Sequence, residues 1–503
     1  MKIYNNMYKV LFLLVVGSLV FTTGCTDIDE EFYSRIPEEN FTAADGPIIS
    51  EAFAPFTDWG KSYGYEFWLL TELTADSYCW PQKGKHGEDG GIWQRLHWHT
   101  WTEVDWPFDY AWNNHYGVIA GCNKFLEKYA DITEEDVSAI SIAEERAHVR
   151  ALRAYMYYKL VDHWRKVPLV TSTVVDGNPK LEEAKFVLDW IIAEIDDVVD
   201  DLPEKGVATG YGRFNKDAAH MLAAKVYVNY KVWTGVEKWT ECIEAIDKIS
   251  NNIQLTPGWR ESFEVDNRDC VEHLLVLPYE ENVYTGAYLH NWTLHYAHPG
   301  AWSLGYAAWN GVACQPDHYR SFDENDLRRT GFLVGPQYDL EGNPLLGSEE
   351  ANGEPLILTV DITSMTGSRE DQGARNVKYT IPIGEKQMDN DWVIFRYADA
   401  MLLKAECYLR LGDVEAALPL VNAIRTRAFG GNTAYNYDAA TLTLDELLAE
   451  RGRELSYEGH RRNDLVRYGK HNDAWWDKEV SSQDRNVFLY GQETVAANPN
   501  ISN

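Results

Sequence analysis

Cysteine is scarce in this chain. The 503 residues include seven, at positions 25, 79, 122, 242, 270, 314 and 407, and no two of them form a CxxC pair. This spacing lacks the paired thiols of zinc-ribbon and thioredoxin-type sites. We expect the six that follow Cys25 to be small buried side chains, with one disulfide among them left open as an alternative.

Basic residues are also few. The chain has 46 Lys and Arg against 78 Asp and Glu, which gives a formal net charge of −32 at pH 7. Proteins that bind nucleic acid need a basic surface to neutralise phosphates, so this balance excludes that class of partner. The same negative field disfavours free acidic ligands that would be attracted over long distances.

Long apolar runs are absent after the first 21 residues, and the run at 10–21 is too short to cross a bilayer as a helix. It follows Lys2 and Lys9 and ends shortly before Cys25, which is the order of an export signal and its cleavage site. A cysteine after a small residue at this point resembles the lipobox of bacterial lipoproteins, although Thr22 departs from the usual aliphatic residue.

We therefore expect residues 1–24 to be removed as a signal peptide and Cys25 to be lipidated. Acyl chains such as palmitate would then hold the protein at a membrane. The alternative is an ordinary secretory signal that contains a chance cysteine. The acidic stretch 26–31 resembles the surface-export signals of Bacteroidetes lipoproteins, and the alternative there is a solvated tether.

Recognisable catalytic motifs are missing as well: the chain has no HExxH, phosphate-binding Gly-rich loop or nucleophile elbow. Its densest ionisable set comprises Glu450, Arg453, Glu454, Glu458 and His460. A carboxylate pair in this set would in principle suit glycosidic acid–base chemistry. Charges spaced three and four residues apart on one amphipathic helix are, however, typical of structural ion pairs. We therefore expect a scaffold role for this set, and no enzyme.

Patterns for metal binding are weak. Six histidines lie among the tryptophans, at 86, 97, 99, 290, 295 and 298, and acidic residues cluster at 317, 323, 324 and 326. The histidine spacing matches no zinc motif, and the acidic spacing is not that of an EF-hand loop. We expect histidines that hydrogen-bond to sugars or to the backbone, a solvated acidic turn, and neither a metal nor a cofactor.

Helical periodicity covers much of the remaining chain. Residues 141–165 carry two apolar stripes, which predicts a helix packed between neighbours. Further helices are predicted at 180–200, 214–232, 236–250, 392–411, 414–427 and 444–460. Gly412 and Asp413 suit a tight turn between two of them, and this hairpin resembles a tetratricopeptide unit. Pro419 should bend the second helix of the hairpin.

Two long stretches, 56–116 and 278–390, have little helical periodicity, and insertions of this length are usually functional. Eight of the 19 tryptophans fall within 59–112, and a second aromatic cluster spans 284–309. Flat rigid rings stack well on the apolar faces of sugars. The candidate ligand-binding residues are Trp80, Trp93, Trp98, Trp101, Tyr284, Trp292, Trp302 and Trp309. The alternative is that the rings fill the core of a loop-rich subdomain, as we expect for Trp68 and Trp112.

Four groups of residues carry a family resemblance through their order. They are Arg146 to Tyr155 with Leu160-Val161-Asp162 and Val167-Pro168-Leu169-Val170; Gly212-Arg213 with Ala218, Ala224, Lys225 and Tyr227; Phe395-Arg396-Tyr397-Ala398-Asp399 with Leu403, Ala405 and Glu406; and Glu450-Arg451 with Arg453-Glu454-Leu455, Glu458 to Arg461 and Asp464-Leu465. Together with the lipidation signal and Asn498-Pro499-Asn500, they resemble the SusD/RagB family of Bacteroidetes outer-membrane lipoproteins.

The resemblance implies a mainly α fold. We expect an α-superhelix of about four tetratricopeptide-like helix pairs, with long loop-rich insertions that form the ligand-binding face. It also implies a single domain over 25–503, with an N-terminal part at about 26–235 and a C-terminal part at about 236–503.

The resemblance further implies a function without catalysis. Such a protein is lipid-anchored in the outer membrane, faces the outside, binds oligosaccharides or polysaccharides, and delivers them to a SusC-like TonB-dependent transporter. Two alternatives stay open: peptide binding, as in the RagB branch of the family, and a secreted glycosidase.

Overall fold

The computed structural model describes residues 45–63, 68–175, 177–206, 211–268, 270–280, 284–285 and 287–503. The predicted signal peptide, Cys25 and the acidic stretch 26–31 lie outside this part of the chain. Within the described residues, no helix is both long enough and apolar enough to cross a membrane.

The fold is mainly α-helical, as predicted. The α-helices are α1 (Asp45–Tyr63), α2 (Leu69–Glu72), α3 (Ile92–Trp98), α4 (Pro107–Lys128), α5 (Ile142–Trp164), α6 (Ala184–Val198), α7 (Lys216–Thr234), α8 (Trp239–Asp247), α9 (Leu289–Thr293), α10 (Pro299–Trp302), α11 (Pro316–Arg320), α12 (Tyr397–Arg410), α13 (Val414–Ala428), α14 (Leu444–Glu454), α15 (Arg461–Tyr468) and α16 (Gln492–Ala497). Short 3-10 turns lie at Asp89–Gly91, Val199–Asp201, Glu261–Phe263, Leu327–Gly331, Thr433–Tyr435 and Gln483–Asn486.

The long helices stack on one another in chain order. Helix α1 packs on α4, α4 on α5, α5 on α6, α6 on α7 and α7 on α8, and α12 joins α8 to α13. Helix α5 is buried on nearly every side, and its alanines at 147, 151 and 154 let neighbouring helices approach closely. This is the predicted superhelix of tetratricopeptide-like pairs.

The hairpin of α12 and α13 forms for local reasons. Gly412 adopts a φ of +84°, which favours glycine, and directly after it the Asp413 carboxylate accepts a hydrogen bond from the backbone N–H of Ala416 at 3.0 Å. Pro419 lies within α13, as the sequence predicts. The turn residues therefore fix the geometry of this pair.

Two predicted helix boundaries are wrong. Residues 392–396 form a buried strand because their β-branched and aromatic side chains pair with a second strand far away in the chain. Helix α14 ends at Glu454 rather than at 460, since Tyr457 and Gly459 both adopt positive φ and turn the chain into α15. The last predicted helix is thus shorter than expected, and α15 follows it as a separate helix.

Strands are few and short. In the described part of the chain they are β1 (Tyr78–Cys79), β2 (His273–Leu277), β3 (Ala313–Cys314), β4 (Phe332–Leu333), β5 (Gly335–Pro336), β6 (Ile357–Leu358), β7 (Arg375–Asn376) and β8 (Trp392–Arg396). They pair antiparallel as β1–β3, β2–β8, β4–β7 and β5–β6. The β1–β3 pair joins the two predicted insertions, with Tyr78 opposite Cys314.

The first insertion is less irregular than predicted. Residues 56–116 include the end of α1, the short helices α2 and α3, and the start of α4. Helix α3 is only seven residues long and ends at His99, which adopts a left-handed conformation. Its brevity explains why periodicity alone did not identify it.

The ionisable set of the fourth sequence group lies in a buried ionic network. Arg396 contacts Glu272, Glu454 and Glu458 through its guanidinium, at 2.7, 2.8 and 2.6 Å. Burial alone would raise the pKa of Glu450, but Arg328, Arg453 and Arg425 lower it to about 2. Arginines inside the scaffold thus hold Glu450 and Glu454 ionised, which is the structural role expected for them.

Candidate functional site

The loop at residues 80–91 lies in the first insertion and packs against the second. Lys83 is buried, and its Nζ donates hydrogen bonds to the carbonyl oxygens of Asn310 and Gly311 at 2.6 and 2.8 Å. Burial, and then the nearby Arg375, hold the pKa of Lys83 well below its usual value. The indole of Trp80 packs so closely on Gly311 that a Cβ there would lie 2.3 Å from the ring. These contacts hold Trp80 of the first insertion against the segment that follows Trp309 in the second.

Four rings follow one another on the side of the first insertion, and we call them the tryptophan row: Trp80, Trp93, Trp106 and Tyr110. Trp80 and Trp93 stack with ring centroids 4.7 Å apart and 13° between planes. Trp106 meets Trp93 edge-on at 6.1 Å, and Tyr110 meets Trp106 at 5.9 Å. The inner two rings are buried, whereas Trp106 and Tyr110 are 38% and 49% exposed.

Trp80 and Trp93, both candidate ligand-binding residues, are therefore not exposed rings. They cover each other, and Trp80 is enclosed by Gly87 and Gly311. The solvent-exposed rings of the row are instead Trp106 and Tyr110. Trp106 belongs to the tryptophan cluster of the sequence but is not among the predicted candidates, and neither is Tyr110. Trp106 directly precedes Pro107 at the start of α4, a position that leaves a side chain at the surface.

The second insertion contributes a stacked pair of half-buried rings. Tyr288 and Trp309 lie with centroids 5.7 Å apart and 23° between planes. Trp309 directly precedes Asn310 and Gly311, whose carbonyl oxygens accept hydrogen bonds from Lys83. The backbone N–H of Trp309 donates to the carbonyl of Asn291 at 2.7 Å. The pair is thus fixed by backbone contacts, which pre-organises it for a flat ligand.

Trp302 and Tyr306 form the next part of the surface, and both are half-buried. Trp302 meets the imidazole of His298 edge-on at 5.7 Å. The Tyr306 hydroxyl donates to Glu385 at 2.7 Å, and burial, then the charge of Glu385, raise the pKa of Tyr306 above its usual value. Rings and hydrogen-bonding groups therefore alternate along this segment.

The histidines beside these rings are neutral. Burial lowers the pKa of His295 to about 3, and burial with the neighbouring His295 does the same for His298. His295 contacts Glu370 at 3.2 Å and His298 contacts Gln337 at 3.2 Å. No group of three or more His, Cys, Asp or Glu side chains suited to a metal occurs among the described residues. His295 and His298 are themselves fully buried, so what the site offers a ligand is mainly its aromatic faces.

Three more candidates pack against core clusters, and two of them are fully buried. Trp101 is 1% exposed and packs on Phe108 and Phe488, while Trp292 is fully buried and stacks on Trp68 with centroids 5.1 Å apart. Trp98 is partly buried against a small cluster around Cys79 and Met365. Trp68 and Trp112 are buried, as expected for both.

Tyr284 lies apart from the other candidates. Its ring stacks on Tyr279 with centroids 5.3 Å apart, and its hydroxyl donates to the carbonyl of Thr57 in α1. Of the eight candidates, Trp302 and Trp309 keep partly exposed faces beside the 80–91 loop. Tyr288, Tyr296 and Tyr306 join them there, with Tyr296 packed 5.3 Å from the ring of His86.

Two family profiles match the chain. Residues 300–502 match the SusD family, and residues 71–228 match a family described as starch-binding and associating with the outer membrane. These two ranges contain most of both insertions and all four sequence groups.

Similar proteins agree with this match. A SusD-like protein of Formosa agariphila is 24% identical over 100% of this chain and 99% of its own. The starch-binding protein SusD of Bacteroides thetaiotaomicron is 24% identical, covering 71% of this chain and 70% of its own.

The fold has a solved counterpart. Surface glycan-binding protein A from Bacteroides thetaiotaomicron, in complex with laminarihexaose, superposes with a TM-score of 0.73 at 19% identity, covering 91% of this chain and 99% of its own. This likeness shows the fold. The two profiles, with the order of the four sequence groups, show that the chain belongs to the SusD/RagB family.

Proposed function

We propose that this protein is a non-enzymatic glycan-binding protein of the cell surface, and that it captures oligosaccharides or polysaccharides on the aromatic surface beside the 80–91 loop. The observation that carries the proposal is the set of partly exposed rings around Trp302 and the Tyr288–Trp309 pair. Sugar rings present apolar C–H faces that stack on such flat side chains. The similar proteins named for starch and laminarihexaose support the ligand class.

The chemistry around the rings favours sugars over charged ligands. Tyr306 is half-buried, and its hydroxyl, which donates to Glu385, is a hydrogen-bonding group suited to sugar hydroxyls. The chain carries a net charge of −32, which disfavours anionic ligands. A glycosidase needs a carboxylate pair open to substrate, whereas Glu450 and Glu454 are buried among arginines.

Affinity electrophoresis in gels that contain plant, algal and microbial polysaccharides, starch and laminarin among them, tests the proposal. Trp302→Ala and Trp309→Ala should each weaken retention about threefold to tenfold without a large fall in melting temperature. Trp190→Ala is the matched control, because Trp190 is also half-buried but lies on α6 in the scaffold.

Three results would separate the alternatives. If no polysaccharide retards the wild-type protein, the glycan assignment fails. If peptides are retained instead, and Trp309→Ala does not affect them, the peptide-binding branch is the better assignment. Release of reducing sugar from the same panel would show a glycosidase.

We further propose that the protein works beside a SusC-like TonB-dependent transporter, to which Cys25 keeps it close through a lipid anchor in the outer membrane. Confinement to the membrane plane raises the effective concentration of a captured ligand at the transporter mouth. Co-purification from detergent-solubilised outer membranes tests this partnership, and recovery of the protein without any transporter would contradict it.

A further inference from the structure

A second aromatic platform lies at the far end of the α12–α13 hairpin. Phe429 and Tyr435 stack with centroids 4.1 Å apart and only 6° between their planes. Phe429 is buried and Tyr435 is partly exposed, so Tyr435 is the outer ring of the pair. Both line an open cleft of about 510 Å³, a volume within the range of small-ligand sites.

The platform is held rigidly from below. Arg425 donates from Nε to the backbone carbonyl of Tyr435 at 2.7 Å, and its guanidinium lies 5.3 Å from the centre of the Phe429 ring. The same guanidinium contacts Glu450 at 2.7 Å, and Glu450 in turn binds the buried Arg328 at 2.8 Å. Because Arg425 is tied into the ionic network, the outer ring is fixed in place before any ligand arrives.

The opposite wall of the cleft is the acidic turn and the 3-10 turn that follows it. This wall includes Glu324, Asn325, Leu327, Arg329 and Thr330, and Asn432 lies beside the platform. Leu327 is 43% exposed and adds an apolar surface across from the ring. Amide, carboxylate, guanidinium and hydroxyl groups thus surround a flat aromatic face.

We propose that this cleft is a second saccharide-binding site, separate from the surface beside the 80–91 loop. A pyranose ring stacks on Tyr435 while its hydroxyl groups bond to the polar groups of the opposite wall. An anion is disfavoured by Glu324 and by the net charge of −32. The proposal shares only its ligand class with the proposed function, since the two sites have no residue in common.

The test uses the full-length protein in the same polysaccharide gels. In gels that contain starch, laminarin or another polysaccharide that retards the wild-type protein, Tyr435→Ala should weaken retention about threefold to tenfold. Tyr435→Phe keeps the aromatic face and should be retarded like the wild type. Thr330→Trp, which places a large side chain at the cleft and leaves Phe429 and Tyr435 unchanged, should weaken retention similarly. Tyr338→Ala is the control, because Tyr338 is 52% exposed but lies outside the cleft.

The two sites fail in different ways. If Trp309→Ala lowers retention but Tyr435→Ala and Thr330→Trp migrate as wild type in every gel, the second site is refuted and the first stands. If Tyr435→Ala lowers retention and Trp302→Ala and Trp309→Ala do not, the cleft binds glycan and the proposed first site is wrong. If no polysaccharide retards the wild-type protein, both are refuted.

Discussion

Replacement of Arg396 by Met should destabilise the protein strongly. The guanidinium is 1% exposed and makes charged contacts of 2.6 to 2.8 Å with Glu272, Glu454 and Glu458. It also donates to the backbone carbonyl of Glu454 at 2.8 Å. Removal of one partner from a buried ionic cluster typically costs about 3–5 kcal/mol, because the remaining charges stay buried without full compensation.

The neighbouring cations limit the loss. Glu458 keeps Lys378, while Glu272 and Glu454 keep Arg427, so no carboxylate is left without a cation. We therefore expect a loss of about 3 kcal/mol, at the lower end of that range. Met fills much of the vacated volume, so most of the loss reports the lost charge rather than a cavity.

The loss should depend on pH. Burial alone would raise the pKa of Glu272, but Arg427 and then Arg396 lower it to about 2 in the native protein. Without Arg396 this pKa rises towards or above its unfolded value of about 4.3. In the wild type, the lowered pKa of Glu272 contributes stability above about pH 4.3, and the variant lacks this contribution. The stability deficit of the variant is therefore largest at neutral pH and shrinks as the pH falls through about 4.

Urea unfolding followed by tryptophan fluorescence at about pH 3 and about pH 7, on either side of this window, measures both effects. Arg320→Ala is the control, since the Arg320–Asp361 pair is 51% and 77% exposed and such pairs contribute about 1 kcal/mol or less. If Arg396→Met and Arg320→Ala lose equal stability, or if the Arg396→Met deficit grows on acidification, the assignment of the network as a stabilising ionic core is refuted.

Two further predictions concern a buried carboxyl and the anchor. Burial raises the pKa of Glu72 to about 7. Between about pH 4.3 and about pH 7 the folded state therefore keeps a proton that the unfolded state has lost. The free energy of unfolding falls as the pH rises through this range. Glu72→Gln should flatten this dependence in urea unfolding, and an unchanged slope would contradict it. Cys25→Ala should leave polysaccharide retention in gels unchanged but release the protein from the membrane fraction and lower glycan uptake by cells; membrane retention equal to wild type would contradict lipidation at this residue.

The scaffold could be predicted from the sequence wherever its causes are local. The apolar stripes of 141–165, and the Gly412-Asp413 turn, depend on neighbours within a few residues, and the helices found there match the prediction closely. The strand at 392–396 was missed because its partner, 273–277, lies more than a hundred residues earlier in the chain. The periodicity of one segment carries no information about such a partner.

The aromatic surface could be predicted only as a cluster. Whether a ring is exposed depends on what covers it, and the covering residues come from distant parts of the chain. Gly311 packs on the ring of Trp80, and Trp68 stacks on Trp292, although neither pair is near in sequence. The two insertions were correctly identified as the place where rings gather, whereas the choice among Trp80, Trp302 and Trp309 required the tertiary contacts.

Burial of so many rings also bears on how the open ones bind. A half-buried indole such as Trp309 keeps one face for a ligand while its other contacts fix its orientation, so little side-chain entropy is lost on binding. Tyr435 reaches the same condition through Arg425 and the ionic network. In both proposed sites, contacts with buried parts of the scaffold hold the rings in place. The rings are therefore rigid although they lie in exposed loops.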